Sequence, residues 1–126
     1  MVADGVSVEL PGDSASIARA RRVARRLARA CGANADDLAL AASEAVTNAL
    51  VHGYREDQTG AIELNGYREG DQCVLEVADR GVGMRPHPGV HGLGMGLPVI
   101  STVAESVEIV SLEPGTAIRM RFSTAG

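Results

Sequence analysis

Three short blocks of this chain carry residues whose types and spacing can do chemistry. In "SEAVTNALVHG", Glu44 and Asn48 stand four residues apart, so at about 3.6 residues per turn a helix sets a carboxylate and an amide on one stripe. The carboxylate can take a proton from a nucleophile, and the amide oxygen can ligate a magnesium ion held by phosphates. In "VLEVADRGVGM", Asp79 falls at the exit of an apolar strand, followed by Gly81, Gly83 and Met84. A carboxylate there can accept a hydrogen bond from the amino group of a base, and the glycines let backbone approach a ligand closely. In "HGLGMGLPVI", Gly92, Gly94 and Gly96 alternate with Leu93, Met95 and Leu97 and open a helical pattern. Free amides and a positive dipole end at such a point suit phosphate oxygens. Together the blocks describe a nucleotide pocket.

Each block taken alone also has an ordinary structural reading. Glu44, Asn48 and His52 are what a narrow solvated stripe on an otherwise buried helix contains, and His52 suits a helix C-terminus. Asp79 to Gly83 is a common strand-to-loop turn composition. The run from Gly92 to Leu97 has Leu97 where a dinucleotide fingerprint needs its last glycine, and a long glycine- and proline-rich segment separates it from the preceding strand. His87 and His91 lie four apart in that segment with no third ligand nearby, so zinc is not expected.

Composition narrows the chemistry. All twelve basic residues are arginine, which removes every mechanism that needs a lysine on phosphate, the Walker A loop included. The net charge of −4 argues against generic attraction to nucleic acid. No export signal and no apolar run of about 18 residues is present, so a cytoplasmic protein is expected rather than a membrane one. Cys31 and Cys73 lack C-x-x-C spacing and read as reduced thiols. Aromatic residues make up only 2% of the chain, so the core must be built from Ala, Val, Leu and Ile, and dimerisation would help so small a core.

The elements that must position these groups follow from periodicity. Val6, Val8 and Leu10 alternate into a strand ended by Pro11-Gly12. Asp13, Ser14 or Ser16 caps a helix whose apolar positions Ile17, Ala20, Ala24, Leu27, Ala28 and Cys31 run up to Gly32, with arginines 19, 21, 22, 25, 26 and 29 on its solvated side. Asp36 or Asp37 caps a second helix, apolar nearly all round, that ends near Gly53. Residues 61–67 and 73–78 form strands joined at Glu69-Gly70-Asp71, and 96–104 forms a helix after the loop. Residues 106–110 and 116–122 form a last hairpin across Glu113-Pro114-Gly115. This order predicts one domain over 1–126, an α+β two-layer sandwich with a mostly antiparallel sheet and helices on one face.

With the three blocks in this order, the chain resembles the GHKL ATPase superfamily with its Bergerat nucleotide-binding fold, over nearly its whole length. The forms "SEAVTNALVHGY" and "GLGMGLPVI" are most similar to bacterial anti-sigma-factor serine/threonine kinases. The resemblance implies that Glu44 is the general base toward a protein serine, that Asn48 binds Mg²⁺, and that Asp79 recognises the adenine amino group. It also implies that Gly81, Gly83 and Met84 shape the adenine pocket, and that Gly92, Leu93, Gly94, Met95, Gly96 and Leu97 border the phosphates. Thr116, in "PGTAIRMRF", matches the family's late Gly-Thr, which the resemblance places near the base. The cofactors implied are ATP and Mg²⁺, and the partners a STAS-domain anti-anti-sigma protein, a sigma factor and a second copy of the chain.

The stretch between Gly83 and Gly92, "MRPHPGVH", is shorter than the lid of many relatives and has no Ser, Thr or Lys, leaving Arg85, His87 and His91 to meet phosphate. Two readings stay open on this point: an ATP-dependent serine kinase that also antagonises a sigma factor, and a nucleotide-binding module that controls partners by binding alone. A histidine-kinase catalytic domain is disfavoured, since no helical phosphoacceptor segment accompanies these blocks.

Overall fold

A computed structural model describes residues 5–53, 60–80, 97–112 and 115–124, with backbone only at 52, 53 and 97. Strand β1 (Val6–Leu10) leads into α1 (Ala15–Cys31) and α2 (Ala35–Asn48), which continues as a π-helical turn (Ala49–Gly53). Strands β2 (Ile62–Glu69) and β3 (Gln72–Asp79) follow, then α3 (Leu97–Val103), β4 (Ser106–Ser111) and β5 (Thr116–Ser123). The expected order of elements is the observed one.

The amphipathic pattern of α1 does what its spacing demands. Ala20, Val23, Ala24, Leu27, Ala28 and Cys31 are buried, while Arg19, Arg21, Arg22, Arg26 and Arg29 are exposed. Gly32 closes the helix at φ 78° and donates its N–H to the Ala28 carbonyl, a left-handed cap that a side chain would oppose.

The start of α2 differs from expectation. Its cap is Asn34, whose side chain accepts a hydrogen bond from the Asp37 N–H at 3.0 Å. Asp36 and Asp37 instead occupy the first turn, where their charge complements the helix dipole. Asn34→Ala should therefore lower the unfolding free energy by about 1 kcal/mol in urea titrations, and an unchanged midpoint would refute the cap.

The five strands form one antiparallel sheet in the order β1-β2-β3-β5-β4. Side chains alternate across it, so Leu64, Leu75, Val77, Ile118 and Met120 join the helix-side core. Where α1 crosses β2 the fit is close: a Cβ on Gly66 would lie 2.3 Å from the Leu27 Cδ2 atom, so Leu27 occupies the space that Gly66 leaves. The opposite face carries a polar row, Ser7-Asn65-Glu76-Arg119-Glu108, aligned by register across all five strands. Within it Ser7 donates to Asn65 at 2.7 Å, and Arg119 reaches Glu76 at 2.8 Å and Glu108 at 3.3 Å. One apolar face and one polar face make the two-layer α+β architecture.

Cys31 and Cys73 are free thiols buried together in the core. Burial, reinforced by the neighbouring Cys31 thiol, pushes Cys73 well above the ordinary thiol range, so it stays protonated and unreactive at neutral pH. No described helix is long and apolar enough to cross a membrane.

Candidate functional site

Asp79 is the last residue of β3 and Thr116 the first of β5, and register sets them directly opposite each other. In such a pair the Cβ atoms lie about 4.5–5.5 Å apart. Both alternate with core residues, Val77 on β3 and Ile118 on β5, so both point to the helix side of the sheet. Asp79 is 0% exposed and Thr116 5%. Each has an interaction partner within the protein. Two residues 37 positions apart in the chain thus meet on the central strands of the sheet.

What permits this approach is Gly115, the last residue of the turn expected at Glu113-Pro114-Gly115. At φ 107° it carries the chain into β5 so close to β3 that a Cβ there would lie 1.9 Å from the Asp79 carbonyl oxygen. The Leu112 N–H donates to the Gly115 carbonyl at 2.9 Å, tying the same point to the end of β4. The signal available in the sequence was a glycine immediately before a β-patterned segment, but which backbone it approaches is a matter of strand order.

Helix α2, which carries the other candidate groups, packs against both β3 and β5, and the π-helical turn after it also touches β3. Glu44 is half-buried at the surface of α2, and none of the ion pairs among the described residues involves it. Its neighbours Ser43 and Thr47 return their hydroxyls to the helix's own carbonyls, Leu40 at 2.9 Å and Ser43 at 2.7 Å. Asn48 is 4% exposed, and its buried Nδ2 has no hydrogen-bond partner among the described residues. An unsatisfied buried amide of this kind costs about 1–3 kcal/mol. An amide held at that cost one turn from a carboxylate, on a helix whose other buried side chains are Leu38, Ser43, Val46 and alanines, suits a group that must meet a ligand.

The two neighbours on this stripe differ in burial: Glu44 is half-buried at the helix surface, and Asn48 is packed into the protein. The α-helical period that would have carried the stripe to His52 ends at Asn48, where the wider π-helical turn begins; such turns recur at functional sites. The His52 side chain lies outside the described residues, as do Gly81, Gly83, Met84, Gly92, Leu93, Gly94, Met95, Gly96 and the Leu97 side chain, with His87 and His91. The ends of that segment are nevertheless defined: it leaves the sheet after Asp79 and rejoins at α3, which packs on α2 through the fully buried Ile100. A separate open cleft of about 450 Å³, between Glu9, Arg19 and Gly60 near β1, includes none of these groups.

The donor set suits a nucleotide with a divalent cation. It offers an inward amide that can present its oxygen to a hard cation, a carboxylate one turn away, and a buried carboxylate with a hydroxyl at the sheet's end.

Residues 10–122 match the family described as the histidine kinase-like ATPase domain. The chain is 34% identical over 98 residues to the anti-sigma F factor of Clostridium acetobutylicum, covering 68% of each protein. It is 33% identical over 97 residues to that of Clostridium kluyveri, again covering 68% of each, and 30% identical over 90 residues to that of Oceanobacillus iheyensis, covering 62% of each. Among solved structures, the RsbU and RsbW domains of a Mycobacterium tuberculosis protein align with a TM-score of 0.72 over 94% of this chain and 32% of that one. At 22% identity that likeness concerns the fold.

Proposed function

This chain belongs to the histidine kinase-like ATPase domain family, and from that premise we propose that it binds ATP with magnesium and transfers the γ-phosphate to a serine of a partner protein. The partner proposed is a STAS-domain anti-anti-sigma protein, and the chain also holds a sigma factor inactive. The sigma-factor role is supported by the names of its relatives, anti-sigma F factors.

The observation that carries the chemical part is the pair on α2: a surface carboxylate at Glu44 one turn from the inward, unsatisfied amide of Asn48. In the proposed transfer, the serine Oγ forms a bond to the γ-phosphorus as the bond from that phosphorus to the β–γ bridging oxygen breaks. ADP leaves with that oxygen, and the serine proton passes to Glu44. Glu44 thus serves as general base. Asn48 would hold the metal through its amide oxygen. Magnesium, when bound, neutralises charge on the phosphate oxygens. Asp79 orients the adenine through its amino group, and Thr116 lies beside it across the strand pair.

The test is incubation of the purified chain with labelled ATP, Mg²⁺ and the cognate STAS protein, where phosphoserine should form and chelation of the metal should prevent it. In the same preparation Asn48→Ala should weaken ATP binding by about tenfold or more, as loss of one contact worth ~1.5–3 kcal/mol implies. Its unfolding free energy should stay within about 1 kcal/mol of wild type, because the substitution also removes an unsatisfied buried group. Tight ATP binding with no phosphoserine would leave a binding-only regulator, and absence of ATP binding would overturn both.

A further inference from the structure

Helix α2 is buried almost all round, yet two of its large apolar side chains are not. Leu40 is 39% exposed and Val51, in the π-helical turn, is 60% exposed, whereas Ala41, Ala42, Ala45 and Val46 are fully buried. At about 100° per residue Leu40 lies ~40° to one side of Glu44, and the exposed Val51 continues that side beyond the half-buried Thr47 into the wider turn, so the three share one stripe. Thr47 falls on that stripe too, but its hydroxyl is turned back to the Ser43 carbonyl at 2.7 Å and is not offered to a partner. The proposed general base therefore sits in a strip of apolar surface, with one large aliphatic side chain toward each end of the helix.

We infer that Leu40 and Val51 form the seat for the acceptor segment, and that the protein phosphorylated carries apolar side chains close to its serine on both sides. This rests on the kinase reading and deepens it. Proton transfer requires the serine Oγ within about 3 Å of the Glu44 carboxylate, so the chain carrying that serine must lie over this stripe. Leu40 lies about 6 Å along the axis from Glu44, and Val51 about 10 Å the other way. An extended chain advances about 3.3 Å per residue, so these seats fall about two residues to one side of the serine and three to the other. A charged side chain at either position would lose hydration against Leu40 or Val51 and gain no hydrogen bond. An apolar one would bury surface on both partners. Selection of the acceptor thus lies in the helix that holds the base.

The experiment is steady-state phosphotransfer from labelled ATP to the cognate STAS protein by wild type, Leu40→Asp and Val51→Asp. Leu40→Ala and Val51→Ala serve as milder variants, and thermal melting checks each fold. Both positions are exposed, so folding should be retained. The KM for the acceptor should rise about tenfold in each Asp variant and less in each Ala variant, while the KM for ATP stays within about twofold. Active wild type with an unchanged acceptor KM in all four variants would overturn this inference and leave the kinase reading standing. A KM for ATP that rises as much as that for the acceptor would overturn it too, because the residues would then serve the nucleotide or the fold. Absence of transfer by wild type would defeat the kinase reading itself, and the inference with it.

Discussion

Replacing Glu44 by glutamine is expected to lower the turnover number for phosphotransfer by at least about 100-fold, the contribution typical of a positioned general base. The change is isosteric, and the side chain is half-buried at the helix surface with no ion pair among the described residues, so neither the fold nor a neighbouring charge is disturbed. An amide cannot accept the serine proton, yet it occupies the same volume. Affinity for ATP should consequently hold within about threefold, because the residue acts on the acceptor rather than on the nucleotide. Rapid-quench transfer measured beside calorimetric ATP binding separates the two. A variant that transfers phosphate at the wild-type rate removes Glu44 from the mechanism, and one that loses ATP binding to the same degree makes it a nucleotide contact instead.

Gly115→Ala is the second large effect expected, and its origin is steric. The new Cβ would lie 1.9 Å from the Asp79 carbonyl oxygen and 2.8 Å from the Arg80 Cα. These are backbone atoms that cannot rotate away, and the residue would also be held at φ 107°. Relief requires the start of β5 to draw back from the end of β3, which parts Asp79 from Thr116. A loss of about 2–4 kcal/mol combines the backbone strain with the overpacking. Gly70→Ala is the matched control: its φ is 63°, but nothing lies within 4 Å of the added Cβ. It should cost only the left-handed strain, about 1–2 kcal/mol, and should leave ATP affinity unchanged. Equal destabilisation of the two variants, with ATP affinity unchanged in both, would show that the close approach at Gly115 does not shape the site.

Both experiments probe features that were unequally legible in the chain. The burial of α1 and its end at Gly32 follow from local periodicity and from a residue free to adopt positive φ, and both stand as expected. The local pattern points to Asp36 or Asp37 as the cap of α2 because several cap-forming residues stand in a row. Asn34 holds the position since its side chain reaches the Asp37 N–H three residues on, a spacing that marks a cap when weighed against its neighbours. The π-helical turn at Ala49–Gly53 had no signal, because widening of a helix depends on what packs around it. Asp79 at a strand exit was visible, whereas its meeting with Thr116 in register depends on β5 lying between β3 and β4.

The sequence by itself determined the order of elements and the chemical groups available, because capping, turns and alternation act over a few residues. The spacing of three blocks also points to Glu44, Asn48 and Asp79 as groups of one proposed site. Only the tertiary structure decided which way each side of α2 faces. A helix apolar nearly all round carries no pattern to orient it, so its orientation is set by α1, α3 and the sheet that pack on it. Those contacts turn Asn48 inward, leave Glu44 at the surface, and expose Leu40 and Val51 beside it.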